Sequence, residues 1–287
     1  MSGFYFFLAV VSAIGTYSAI IQARRIYWMA PFYFLIAWLS GELALIHLLW
    51  QLGLTALMAL SGLLDSSLAQ VGLGLFALSW MGQVYLHVQA MNTQRVMRQA
   101  LKRGLGEDYR STLPQQRQRV LEDSVDAAHW MKPFAMVREG VRVHSHIAYA
   151  DAGKRNLLDI YQPQEPREGG FPVLLQVHGG GWMIGEKEQQ AKPLMFHLAQ
   201  RGWLCVAINY RLSPNAAFPA HIIDVKKSIA WIRNNIAEYG GDPDFIAITG
   251  GSAGGHLSSL AALTPNYAPF QPECEDADTS IQAAVPF

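Results

Sequence analysis

The chain has 287 residues, enough for one large domain or two smaller ones, and its 22 basic and 22 acidic side chains leave it formally uncharged. That balance excludes a broad basic face for nucleic acid, while two cysteines, Cys205 in an apolar run and Cys274 in an acidic stretch, make neither a disulfide framework nor a metal-ligand spacing. Hydrophobic residues are 51% of the chain and charged ones 15%, and the excess is concentrated at the N-terminus, which points to membrane segments.

Residues 4–21 form an uncharged run of 18, just long enough to cross a bilayer, and Arg24-Arg25 follow with Tyr27 and Trp28 beside them. A secretory leader would carry its positive charge before the apolar core, so this order reads as a membrane anchor, with a signal peptide as the alternative. Residues 31–64 are apolar apart from Glu42, His47, Gln51 and some small polar residues, and residues 68–88 hold no charge at all. The first of these stretches, 34 residues, is too long for one straight span and short for two, so three or four crossings remain. Three crossings put Arg24-Arg25 on the same side as Arg95, Arg98, Lys102 and Arg103, whereas four put them on opposite sides. Three is therefore preferred, with the N-terminus outside and everything beyond residue 88 in the cytoplasm. Glu42 and His47 could mark an intramembrane site; the preferred reading places residues 31–41 at the interface and both side chains near the wet end of a span over 43–64.

Residues 92–136 are polar and mixed in charge, with Val120, Leu121, Val125 and Ala128 at helical spacing, and read as a helical connector lying on the membrane surface or on the following domain. The expected organisation is a transmembrane helical region over 1–90, the connector over 91–140 and an α/β domain over 141–287. In the last part, residues 141–150 and 157–161 suggest antiparallel opening strands, and the apolar runs 173–177, 204–209 and 245–249 suggest a buried parallel sheet. Between them 190–201 and 223–239 have helical periodicity, stopped by Gly202 and Gly240.

Two motifs sit at the ends of those strands. His178-Gly179-Gly180-Gly181-Trp182 directly follows the strand at 173–177, and glycines there leave backbone N–H groups free to approach a substrate oxygen. Gly250-Gly251-Ser252-Ala253-Gly254 follows the strand at 245–249 and precedes a helix-compatible stretch. Strand, G-x-S-x-G turn and helix describe an elbow that presents a serine hydroxyl, with Gly250 and Gly254 relieving crowding where strand and helix close on each other. The helix also points its positive end toward a developing anion.

From about residue 156 to 287 the sequence resembles the α/β-hydrolase superfamily, and within it the HGGG-type esterases and lipases that include hormone-sensitive-lipase-like and feruloyl-esterase-like enzymes. The resemblance rests on Leu158-Asp159-Ile160-Tyr161, His178 to Trp182, Asn209-Tyr210-Arg211-Leu212-Ser213-Pro214, Phe218-Pro219-Ala220, Gly241-Asp242-Pro243 and Gly250 to His256. Many members carry an acidic residue where this chain has Gly251, so the match is to a subgroup. The fold expected is a mostly parallel sheet with flanking helices, preceded by the transmembrane helices. The resemblance implies Ser252 as nucleophile, with Gly180, Gly181 and Ala253 N–H groups as the oxyanion hole and His178, Gly179, Gly250 and Gly254 as support. It implies a small-molecule or lipid ester as substrate and no metal or organic cofactor.

A serine nucleophile needs a base and an acid, which in this fold follow it in the chain. His256 is the single histidine after Ser252 and lies one helical turn on, poorly placed to take its proton. His197 and His221 precede the serine, and Glu273, Glu275, Asp276 and Asp278 read as solvated loop charges. The triad acid and base are thus expected outside this chain. Residues 281–287 look like a further strand, and the expectation is a C-terminally truncated membrane-bound esterase whose last strand is an exposed sheet edge. The alternative is a membrane-bound interaction protein that keeps the fold without catalysis.

Overall fold

In a computed structural model, residues 1–21, 30–113, 136 and 138–287 are described. Arg24-Arg25 and the helical periodicity at 120–128 lie outside these residues. The chain forms two compact units, Met1–Pro133 and Phe134–Phe287.

The first unit contains α1 (Ser2–Ile21), α2 (Ala30–Glu42), α3 (Ala44–Leu60) and α4 (Ser67–Leu105). Ser66 caps α4 by accepting from the Ala69 N–H at 3.3 Å. Glycines bring α1 and α4 together: a Cβ on Gly72 would lie 3.0 Å from the Tyr5 ring, and one on Gly82 would run into the Thr16 methyl. Polar groups sit inside this contact. Thr16 Oγ1 is 2.8 Å from Ser79 Oγ and accepts from Gln83 Nε2 at 2.9 Å, and Tyr5 Oη is 2.9 Å from Thr55 Oγ1. Large apolar side chains such as Phe4, Phe7, Phe34, Trp38, Leu57 and Leu78 face outward. Hydrogen-bonded hydroxyls and small residues within, and aliphatic and aromatic groups without, are the arrangement that lipid favours and water does not. By length and composition α1 and α4 can cross a membrane, and a third crossing exists if α2 and α3, bent by 82° at Leu43, count as one.

The boundary expected at residue 90 is not a break in the backbone. Helix α4 runs unbroken to Leu105, because Met, Gln, Arg, Lys and Leu after Asn92 change polarity without lowering helix propensity.

The second unit is a six-stranded sheet in the order β1-β2-β4-β3-β5-β6, where β1 is Val141–Ala148, β2 Leu157–Pro163, β3 Phe171–Val177, β4 Leu204–Ile208, β5 Gly241–Gly250 and β6 Ala283–Pro286. The first two strands run antiparallel and β4, β3, β5 and β6 run parallel, in register Val177↔Ile208, Val177↔Gly250 and Gly250↔Pro286. Helices α5 (Lys192–Ala199), α6 (Ala220–Asn235) and α7 (Ala253–Leu263) link them. Alternate residues separate the two cores. Val173, Leu175, Val177, Val206, Ile208, Ile246 and Ile248 join Ile222, Val225 and Ile229 of α6 and Leu257 of α7. Leu174, Cys205, Ala207 and Ala247 meet Met195, Phe196 and Ala199 of α5. Burial on both faces explains why these strands read as continuous apolar runs. Helix α5 starts at Lys192 because Ala191 is left-handed (φ 59°), and Gly202 (φ 78°) and Gly240 (φ 79°) follow the helical segments where stops were expected. At the sheet edge all four residues of β6 are exposed.

Candidate active site

The elbow is built by crowding. A Cβ on Gly250 would stand 2.5 Å from Val177 O, and one on Gly254 would overlap that oxygen and lie 2.7 Å from His178 O. Only glycine lets the ends of β3 and β5 and the first turn of α7 converge here. Ser252, between β5 and α7, has φ 54° and ψ −118°, a region where a side-chain-bearing residue is strained and persists only when its surroundings hold it. They do: Ser252 N–H donates to Phe287 O at 2.8 Å, Phe287 N–H donates to Gly250 O at 2.9 Å, and His256 N–H donates to Ser252 O at 2.9 Å. The residue before the serine is unconstrained, since nothing lies within 4 Å of a Cβ at Gly251.

The glycine loop after β3 is pressed against this elbow. A Cβ on Gly179 would be 2.6 Å from Gly251 O and 3.4 Å from Ser252 Cβ, so the two motifs, 72 positions apart in sequence, are neighbours in space. Gly180 (φ 123°) and Gly181 (φ 60°) adopt backbone conformations that favour glycine, and a Cβ on Gly180 would collide with Ile184 O. Among the described residues the N–H groups of Gly180, Gly181 and Ala253 donate to no protein acceptor. They are free donors, one next to Ser252 in the chain and two in the glycine loop whose Gly179 packs on it.

His178 braces the loop. Its ring stacks on Tyr210 (centroids 4.4 Å, 18°), Tyr210 Oη donates to His178 O at 2.9 Å, and His178 Nδ1 lies 2.8 Å from Gly179 O. A carbonyl can only accept, so Nδ1 carries the hydrogen and the buried Nε2 is bare and without a partner among the described residues. Burial holds the ring's pKa below its usual 6.5 and keeps it neutral.

No histidine or carboxylate side chain among the described residues hydrogen-bonds the Ser252 hydroxyl. His256 packs edge-on against Trp182 (centroids 5.3 Å). His197 meets Arg201, and His221 lies 3.4 Å from Ser213 Oγ. The loop acids are held elsewhere: Glu273 by Lys227 at 2.6 Å and Asp278 by Arg233 at 3.2 Å. His146, Asp159 and Glu188 converge closely enough to suggest a cation site. A cation already fills it. The buried Lys187 Nζ lies 2.9 Å from Asp159, 2.6 Å from Glu188 and 3.3 Å from His146.

Sequence reasoning missed Gln190, whose Oε1 accepts from Gly179 N–H at 2.7 Å, and Tyr210 and Asn209. Asn209 links Lys187 N–H, at 2.7 Å, to Lys154 O, at 2.9 Å. Gln190 lies outside every motif, and Asn209 and Tyr210 stood only as residues of the resemblance, because their partners come from distant loops and no spacing shows the bonds.

Residues 158–287 match the family model described as BD-FAE. The chain is 50% identical over 222 residues to the probable carboxylic ester hydrolase LipM of Mycobacterium tuberculosis, covering 74% of this chain and 51% of that protein. It is 56% identical over 144 residues to esterase LipQ of the same organism, covering 50% of this chain and 34% of that protein. The chain thus spans about half the length, or less, of these relatives. A solved structure of a thermophilic esterase from Thermogutta terrifontis is 30% identical with a TM-score of 0.45, covering 52% of this chain and 54% of that one.

Proposed function

We propose that the protein is a membrane-anchored serine hydrolase of the α/β-hydrolase superfamily, a reading supported by the BD-FAE match over residues 158–287, and that it cleaves carboxylic esters through an acyl-enzyme on Ser252. The observation that carries this reading is the contact between the two glycine motifs: Gly179 lies against Ser252, and the two motifs hold three N–H groups without acceptors. In the reaction Ser252 Oγ attacks the ester carbonyl carbon and the C=O π pair moves onto oxygen, where the Gly180, Gly181 and Ala253 N–H groups receive the charge. Collapse expels the alkoxide, which leaves protonated as the alcohol, and water attacks the acyl-enzyme to release the acid. The base that takes the serine proton is not assigned to any described residue. Names of the relatives, a carboxylic ester hydrolase and an esterase, support the ester as substrate class.

Membrane attachment rests on α1 and α4 and on the inverted polarity of the first unit. Three crossings place Arg24-Arg25 and the cations at the end of α4 on one side, so the hydrolase unit lies in the cytoplasm. Apolar or lipid esters suit an enzyme held at the bilayer.

A fluorophosphonate probe applied to membranes holding the full-length gene product tests the chemistry. Labelling of the wild type that Ser252→Ala abolishes is expected; equal labelling of both, or none of either, contradicts the proposal.

A further inference from the structure

We propose that Gln190 is a positioning residue for the oxyanion hole, setting the direction of the Gly180 N–H. The inference rests on the serine hydrolase reading above and extends it to a residue that no motif marks.

The argument begins with the peptide unit. Gly179 C=O and Gly180 N–H belong to one planar trans peptide, so they point in opposite directions, and fixing the carbonyl fixes the N–H. The Gly179 oxygen is held by His178 Nδ1 at 2.8 Å and receives Gln190 Nε2 at 3.5 Å. The preceding peptide is held too, because Gly179 N–H donates to Gln190 Oε1 at 2.7 Å. One carboxamide therefore engages both polar groups of Gly179, the short bond fixing one side and the longer contact biasing the other. Glycine at 179 has no Cβ to limit its rotation, so without these bonds the loop has several conformations available. Location adds to the case. The point that a Gly179 Cβ would occupy is 3.5 Å from Gln190 Oε1 and 3.4 Å from Ser252 Cβ, which puts the carboxamide about one residue's width from the nucleophile.

Gln190 is itself set in place by the backbone. It precedes Ala191, whose left-handed φ of 59° turns the chain into α5, and the free N–H groups of Gly180 and Gly181 lie on the same loop that it clamps. His178 is packed under Tyr210 and holds the carbonyl from within the motif, while Gln190 reaches it from 11 residues away. Neither residue touches the reacting atoms.

The test uses the full-length gene product with a p-nitrophenyl ester and a trifluoromethyl ketone, which forms a tetrahedral oxyanion on a serine. Gln190→Met keeps the length of the side chain and removes both bonds; Gln190→Glu keeps the acceptor for Gly179 N–H and loses the donor. Loss of a whole oxyanion donor costs ~100-fold to 1,000-fold in kcat, so misdirecting one predicts about 10-fold to 100-fold for Gln190→Met with KM changed less than about twofold. Ketone affinity is expected to fall in step with kcat/KM, and Gln190→Glu to lie between wild type and Gln190→Met. A kcat within about twofold of wild type in Gln190→Met overturns the proposal, as does a loss confined to KM. Should Gln190→Met fail to fold, Gln190→Glu with wild-type kcat and ketone affinity overturns it equally. An inactive, unlabelled wild type would instead refute the hydrolase reading itself.

Discussion

At the scale of single residues the elbow is a set of steric permissions, and neighbouring glycines differ in what they allow. Gly254→Ala drives a methyl into Val177 O and His178 O, where only backbone could yield, and overpacking of this kind costs about 1–3 kcal/mol. Gly251→Ala meets open space. Melting of the detergent-solubilised protein is therefore expected to drop by several degrees for Gly254→Ala and to stay near wild type for Gly251→Ala, with fluorophosphonate labelling retained in the second. The open position also explains how relatives with an acidic residue there and this chain with glycine can share one elbow. His178 supplies a pH dependence. Its folded-state pKa is lowered from 6.5 by burial, so below about pH 6.5 the unfolded chain binds a proton that the fold resists, and stability falls as pH drops. His178→Asn should melt lower at pH 7 yet lose less than wild type between pH 7 and pH 5.5. Ser252 and the glycines were legible because close backbone approach admits few residue types. Gln190 was not, since a glutamine before a helix is ordinary until its partner is known.

At the scale of elements, Lys226 joins α6 to the end of α7. Its buried ammonium donates to Ala261 O at 3.2 Å, Thr264 O at 2.6 Å and Thr279 Oγ1 at 3.1 Å, where carbonyls at a helix C-terminus favour positive charge. Desolvation nevertheless lowers its pKa from 10.5 to about 8. Between about pH 8 and 10.5 the unfolded chain holds a proton that the fold has released, so stability attributable to this group rises with pH across that window. Urea titrations at pH 7.5 and 9.5 should show wild type gaining on Lys226→Met as pH rises; an unchanged difference would contradict the assignment. In the helical unit, Gln83→Leu removes the bond to Thr16 and is expected to lower resistance to SDS-induced unfolding by about 0.6–2 kcal/mol. The parallel strands were readable as apolar runs because both faces are covered. The start of β5 was hidden, since Asp242-Pro243-Asp244 reads as a turn and Gly241 enters the strand only by pairing with Phe171. The role of Lys226 was hidden because its acceptors come 35 to 53 residues later.

At the scale of the whole molecule the chain divides into a helical unit with apolar side chains outward and an α/β unit with its apolar side chains packed on both sheet faces. The sequence shows this division as a shift from uncharged runs to short strands, and α4 carries its helix through the change in polarity to Leu105. Three crossings predict that a cysteine introduced at Ser2 reacts with an impermeant maleimide from the outside of intact cells while one at Glu165 does not; the reverse pattern would overturn the orientation. The central claim concerns Ser252. Its most direct test is to mix the full-length gene product with a p-nitrophenyl ester, quench with acid within the first turnover and sequence the modified peptide by mass spectrometry. The account predicts the mass of one acyl group on Ser252 and its loss on further incubation; an acyl group on another residue, or steady ester turnover by Ser252→Ala, would contradict it.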